Sequence, residues 1–185
     1  MKSILPAIAI ATGGLLGLAS FGAEAADGTI TFTGSVSNTT CSINGVASGS
    51  PADVTVPLKE VTASSLAAAG ATGGASSTPF DLKLTGCSGA ATKAVANFEN
   101  GPTVDQTTGN LTNTAGTAKN VQVQLLNAQR QPINIVTSLN NDIATNGADI
   151  SSGSGDLQYY SQYYSTGSAE AGSVNTSVQY TMQYQ

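Results

Sequence analysis

The feature that most constrains this chain is an alternation of period two at both of its ends. Over residues 174–184, Val174, Thr176, Val178, Tyr180, Met182 and Tyr184 fall on even positions, with polar residues between most of them. Near the start, Gly28, Ile30, Phe32, Gly34 and Val36 share one face, and Thr29, Thr31, Thr33 and Ser35 share the other. Period two is the mark of a half-buried β-strand. The second pattern runs to the last residue, Gln185, with no turn or cap after it. Because an unpaired edge is a template for pairing, that edge is expected to await another chain.

Between the two ends, short alternating runs recur between turn signals. They are Val54-Thr55-Val56, Phe80 to Leu84, Ala94 to Phe98, Val121 to Leu125, Pro132 to Val136, Ala148 to Ile150 and Leu157 to Tyr164. Asn44-Gly45 and Asn146-Gly147 are tight-turn pairs. Residues 61–74 are rich in Ala, Ser and Gly and read as a connection, with room for one helical turn around 64–69. Residues 167–172 read as a turn leading into the terminal strand. About eight short strands in one domain predict an all-β chain of immunoglobulin-like sandwich type. All six tyrosines lie from Tyr159 to Tyr184, so the expected final hairpin carries most of the aromatic mass. Tyr160 and Tyr164 are assigned to one face of their strand and Tyr159 and Tyr163 to the other. Core and cross-strand packing accounts for them, and a binding cleft is the alternative.

The first 25 residues read as an export signal. Lys2 supplies the positive start, Ile4 to Leu18 is mostly apolar, and Ala23-Glu24-Ala25 fits a small-x-small cleavage site. The apolar run falls short of the ~20 residues a membrane span needs and is broken by Pro6, Gly13, Gly14 and Gly17, so no membrane insertion is expected. Export makes the cysteines legible. Cys41 and Cys87 are the two in the chain, and in an oxidising compartment a lone pair reads as a disulfide, with two buried thiols as the alternative. The bridge would close a loop of about 47 residues, worth roughly 4 kcal/mol in the chain-entropy model.

Several functions are excluded by composition. A net charge of −5 with six Lys and Arg cannot neutralise a row of phosphates, so no nucleic acid is expected. With no His, a Ser–His pair is impossible and two thiolates make half a zinc site. Lys59, Lys83, Lys93, Lys119 and Arg130 are scattered, and Asp142, Asp149 and Asp156 are spaced as solvated loop charges. The glycines at Gly70, Gly73 and Gly74 lack a phosphate-loop lysine. Asn-x-Ser/Thr tripeptides at Asn38, Asn110 and Asn175 are what chance gives in a chain so rich in Ser and Thr. No enzyme and no cofactor are expected.

Taken in order, the residues carry a resemblance. A strand headed by Gly28 is followed by Cys41, then Leu84-Thr85-Gly86-Cys87, then Val121-Gln122-Val123-Gln124-Leu125-Leu126, then Tyr163-Tyr164-Ser165-Thr166-Gly167, and Tyr184 is second to last. The sequence resembles the major pilins of chaperone–usher, type 1 fimbria-like pili. That resemblance implies an incomplete immunoglobulin-like β-sandwich lacking its last strand, completed by a donor strand from a chaperone or the next subunit. It implies a signal peptide over 1–25, a donor-strand extension over 26–37 and a pilin domain over 38–185. Gly28, Ile30, Phe32 and Gly34 would form the donor face. Val174, Val178, Tyr180, Met182, Tyr184 and Gln185 would form the acceptor groove and chaperone contact, and Cys41–Cys87 the family disulfide. The implied partners are identical subunits in a head-to-tail polymer, a periplasmic chaperone and an outer-membrane usher. The implied site of action is a cell-surface fimbria reached through the periplasm, where the chain supports adhesion. A minor adaptor or terminator subunit, or a carbohydrate-binding adhesin module, is the alternative. Where the family carries several residues ahead of the glycine, only Ala26 and Asp27 remain here after cleavage.

Overall fold

A computed structural model describes residues 31–32 and 38–185, and the fold is that of the compact unit Val36–Gln185. The export signal over 1–25 and the donor-face residues Gly28, Ile30 and Gly34 lie outside the described residues. Among the described residues nine strands follow in order: β1 Thr40–Ile43, β2 Thr72–Gly73, β3 Phe80–Ser88, β4 Lys93–Phe98, β5 Leu111–Thr112, β6 Lys119–Leu126, β7 Ala148–Asp149, β8 Gly155–Glu170 and β9 Tyr180–Tyr184. The only helical pieces among the described residues are a 3-10 turn at Ala63–Leu66 and one turn, α1, at Ile143–Asn146.

All pairings are antiparallel. One sheet runs β1-β3-β8-β6-β5 with β2 added to β8, and the second runs β7-β4-β9. The long β8 pairs with β3 through its first residues, Phe80 opposite Tyr159 and Leu84 opposite Gly155. Its later residues pair with β6, Leu126 opposite Tyr160 and Val121 opposite Ser165. Alternation decides what enters the core. Leu82 and Leu84 of β3, Val123 and Leu125 of β6, and Leu157 and Tyr159 of β8 point inward, where they meet Ala94, Ala96 and Phe98 of β4. Tyr159 ties the two sheets together. Its ring stands edge-on to Phe98 at 5.1 Å. Its hydroxyl accepts from the Ala96 amide at 3.3 Å and lies 3.4 Å from Oδ1 of Asn141. Asn141 in turn donates to the Ala96 carbonyl at 2.8 Å. Burial pushes the Tyr159 phenol up to about 12.

Four expectations are corrected. The strand expected at 54–56 has no ladder partner, and the one at 132–136 shrinks to the bridges Leu126–Pro132 and Asn134–Leu139. The turn expected at 167–172 is displaced, because β8 continues to Glu170. There is also no final hairpin: β8 and β9 belong to different sheets. The connection between them satisfies its backbone elsewhere. Ser173 O accepts from the Ala118 amide at 3.0 Å and Asn175 O from the Ala115 amide at 3.2 Å. Gly172 permits that approach, since a Cβ there would stand 2.3 Å from the Ala118 nitrogen. The facing assignment of the tyrosines holds within β8, where Tyr159 and Tyr163 are buried and Tyr160 and Tyr164 half-exposed.

The outer face of β6 is covered by the loop before β5, through a chain of amides. Gln162 donates to Gln124 at 2.7 Å, Gln124 to Asn110 at 3.2 Å, Asn110 to Gln122 at 3.2 Å and Gln122 to Asp105 at 2.9 Å. Asn110, which begins one of the sequon-like tripeptides, is 2% exposed and out of reach of a glycan. The other oxygen of Asp105 accepts from the Thr108 amide at 2.9 Å and the Thr107 amide at 2.8 Å. These bonds, Thr108 first, hold its carboxyl below the ordinary value of 3.8. A depressed folded pKa gives stability that is complete above the unfolded value and is lost as pH falls through the folded one. Asp105→Asn is therefore expected to flatten the acid limb of the stability curve between roughly pH 5 and 2, measured by denaturant unfolding at each pH.

Candidate functional site

Between the open edge of β9 and the segment before the 3-10 turn lies an apolar groove of about 740 Å³. Residues 50–56 and Leu58 form one wall, and residues 174–180 with Met182 form the other. The floor is the core itself: Leu82, Phe98, Leu111, Val123 and Leu125 reach it from both sheets. Neither wall has a strand partner on its groove side among the described residues. β9 pairs through one edge with β4, Phe98 opposite Tyr180 and Ala94 opposite Tyr184. Among the described residues its other edge has no ladder, and residues 51–58 pair with no strand. Val54 and Val56 thus flank an open core instead of a neighbouring strand.

The terminal residues are not all alike. Val174 and Val178 line the groove but precede β9, so the terminal strand is shorter than its alternation suggested. Tyr180 and Met182 line the groove from β9. Along β9, Tyr180, Met182 and Tyr184 are half-buried and Thr181 and Gln183 exposed. Tyr184 and Gln185 sit apart, around a shallow recess with Ile143 that shares Met182 with the main groove. Gln185 fixes the end of the chain: its carbonyl accepts from the Thr92 and Lys93 amides at 2.6 and 2.8 Å, and its amide donates to the Lys93 carbonyl at 2.9 Å. Burial raises the phenols of Tyr180 and Tyr184, and the nearby charge of Asp53 adds to the rise at Tyr180. Phe32, on the expected donor face, is 90% exposed.

Two hydroxyls at the groove, Ser161 on its floor and Thr176 on its wall, are buried with no hydrogen-bond partner. Buried polar atoms are normally satisfied. A groove that is apolar overall yet holds such orphans suits an occupant with a polar backbone better than a hydrocarbon. Among the described residues, no three His, Cys, Asp or Glu side chains gather as metal ligands. Cys41 and Cys87 form the disulfide, with Cα atoms 4.1 Å apart, and it joins β1 to β3.

Sequence reasoning found one wall and missed the other. Only Val54-Thr55-Val56 reads as a short strand, ended by Pro57, and that alternating run stopped before any turn is the signal of a wall without a partner.

The family of type-1 fimbrial protein A, FimA, matches residues 58–185. The chain is 42% identical over 178 residues to the major fimbrial subunit SMF-1 of Stenotrophomonas maltophilia, covering 92% of this chain and 99% of that one. It is 41% identical over 183 residues to the F17 fimbrial protein of Escherichia coli, covering 93% and 96%. Among solved structures, the P pilus rod subunit PapA superposes with a TM-score of 0.56 at 17% identity, over 78% of this chain and 99% of that one, which establishes a shared fold. The all-β fold and the alignments along nearly its whole length agree: the chain belongs to the type-1 fimbrial protein family and is a structural subunit of a cell-surface fimbria, not an enzyme.

Proposed function

We propose that the groove accepts a strand from a second copy of this chain, and that successive insertions build the rod of the fimbria head to tail. The observation that carries this is the pair of walls, 50–58 and 174–182, each unpaired along the groove, over a floor of core side chains. The occupant is the extension over 26–37. Gly28, Ile30, Phe32 and Gly34 face the groove while Thr29, Thr31 and Thr33 face solvent. An inserted strand supplies the backbone partners that both walls lack, the mode known as strand addition. Burying Ile30 and Phe32 contributes about 1.5–3 kcal/mol each. Phe32, so exposed on its own chain, gains most from such burial.

Before assembly, the exported chain loses residues 1–25 and a periplasmic chaperone lends a strand to the groove. Tyr184 and Gln185, pinned against the start of β4, give that chaperone a fixed end to grasp. An outer-membrane usher then exchanges the chaperone strand for the next subunit's extension. The domain of residues 38–185 remains as the body of each subunit. Removal of residues 26–32 tests the reading. The shortened chain is expected to be exported and to form no fibres by electron microscopy, and fibres of normal length would overturn it.

A further inference from the structure

We propose that the Tyr180 hydroxyl is a latch across the groove, which holds the two walls together in the empty subunit and has to release before a donor strand enters. This inference rests on the strand-acceptor reading above. Tyr180 stands at the start of β9 on one wall, and Ala52 belongs to the other. The hydroxyl donates to the Ala52 carbonyl at 2.7 Å, across 128 residues of sequence. Among the described residues, no other hydrogen bond joins residues 50–58 to residues 174–182.

Geometry makes the bond an obstacle. Two strands that flank a third stand about 9.5 Å apart, twice the inter-strand spacing. A tyrosine side chain with one hydrogen bond bridges a gap of that order. Tyr180 is one of the inward-facing residues of β9 and packs against the core, so its ring and hydroxyl lie in the layer that a donor's inward side chains need. The acceptor is also committed in advance. Strand addition recruits backbone carbonyls of the receiving edge, and Ala52 O already holds the phenol. An ordinary phenol is protonated through the physiological pH range, and burial and the charge of Asp53 shift Tyr180 further in that direction, so it remains a donor. The latch gives the empty groove a fixed width and makes entry a step with its own barrier.

Removing the hydroxyl tests this. The exported chain, disulfide intact, is mixed with an excess of a labelled synthetic peptide of residues 27–36, dilute enough that copies of the chain do not meet. Capture is followed by fluorescence anisotropy. Tyr180→Phe keeps the ring and loses the bond, and Tyr180→Met repeats the test with an unbranched side chain should the first variant fold poorly. Both are expected to take up peptide about two- to tenfold faster, the range set by the net worth of one hydrogen bond. Tyr164→Phe, on the outer face of β8, is expected to leave the rate unchanged. If peptide enters the Tyr180 variants no faster than the parent, the latch is overturned and the acceptor reading stands. If peptide enters none of the forms, the acceptor reading is overturned and the latch falls with it.

Discussion

A chain carrying a second copy of residues 27–36 after Gln185, joined through a short flexible linker, is expected to be far more stable than the chain without it. Its added strand can fold back into the groove beside β9, whose free edge begins at the same terminus. Burial of Ile30 and Phe32 on the groove floor contributes about 3–6 kcal/mol together. At about 2–4 °C per kcal/mol for a domain of this size, the thermal midpoint rises by roughly 6–24 °C. The gain comes from filling apolar volume over Leu82, Phe98 and Leu125 and from pairing two bare edges. It should therefore vanish when Ile30 and Phe32 of the added copy are both changed to Asp, while a change of the outward Thr29 and Thr31 to Ser leaves it intact. Circular dichroism melts of the four chains make the comparison. Equal midpoints with and without the added strand would show that the groove is not a strand acceptor, whatever the alignment says about relatives. The same chain, its groove already occupied, should be monomeric at concentrations where the parent forms fibres.

How much of this was legible beforehand depended on whether a residue's fate is set locally. Leu82, Leu84, Val123 and Leu125 alternate with polar neighbours, and period two alone put them inside. The two faces of β8 could be read the same way, from Tyr159 and Tyr163 against Tyr160 and Tyr164. What alternation cannot encode is which strand lies beside which. The hairpin expected between β8 and β9 fails because Ser173 and Asn175 bond to the loop at Ala115–Ala118, nearly sixty residues earlier. That choice rests on Gly172 and on the partner loop, and neither has a local signature. The groove was half legible for a related reason. β9 announces itself as a strand, but a wall such as 50–58 looks like any strand until its missing neighbour is seen in three dimensions. Tyr180–Ala52 is a bond over 128 residues, beyond any windowed reading. The tie from Tyr159 to Ala96 and Asn141 escaped notice likewise, since only the packing of two sheets brings those atoms together.

Replacing both cysteines with alanine is expected to cost about 4 kcal/mol, the loop-closure term for a bridge spanning 46 residues of sequence. The location makes the loss consequential. β1 is four residues long and lies at the edge of its sheet, with β3 as its one neighbour among the described residues. Its register with β3 is broken between Thr40 and Ser42, on either side of Cys41. So short and irregular a ladder holds poorly by hydrogen bonds alone, and the bridge from buried Cys41 to Cys87 fastens it at the break. Residues 38–39 lead directly into β1, so whatever pulls on the extension pulls on this strand first. Guanidinium unfolding of the oxidised chain, the reduced chain and Cys41→Ala/Cys87→Ala separates the contributions. Both thiol-free and reduced forms should unfold at lower denaturant by a similar amount, with the alanine pair slightly lower because Cys41 is 3% exposed and its sulfur fills core volume. Adding the donor strand after Gln185 should fill the groove, to which β1 contributes Ile43, and leave the bridge at Cys41 unreplaced. The two effects are then expected to add apart from a modest coupling through Ile43. A double-variant cycle in which the added strand fully offsets the missing disulfide would mean that β1 is held through the groove, and the bridge would lose its separate role.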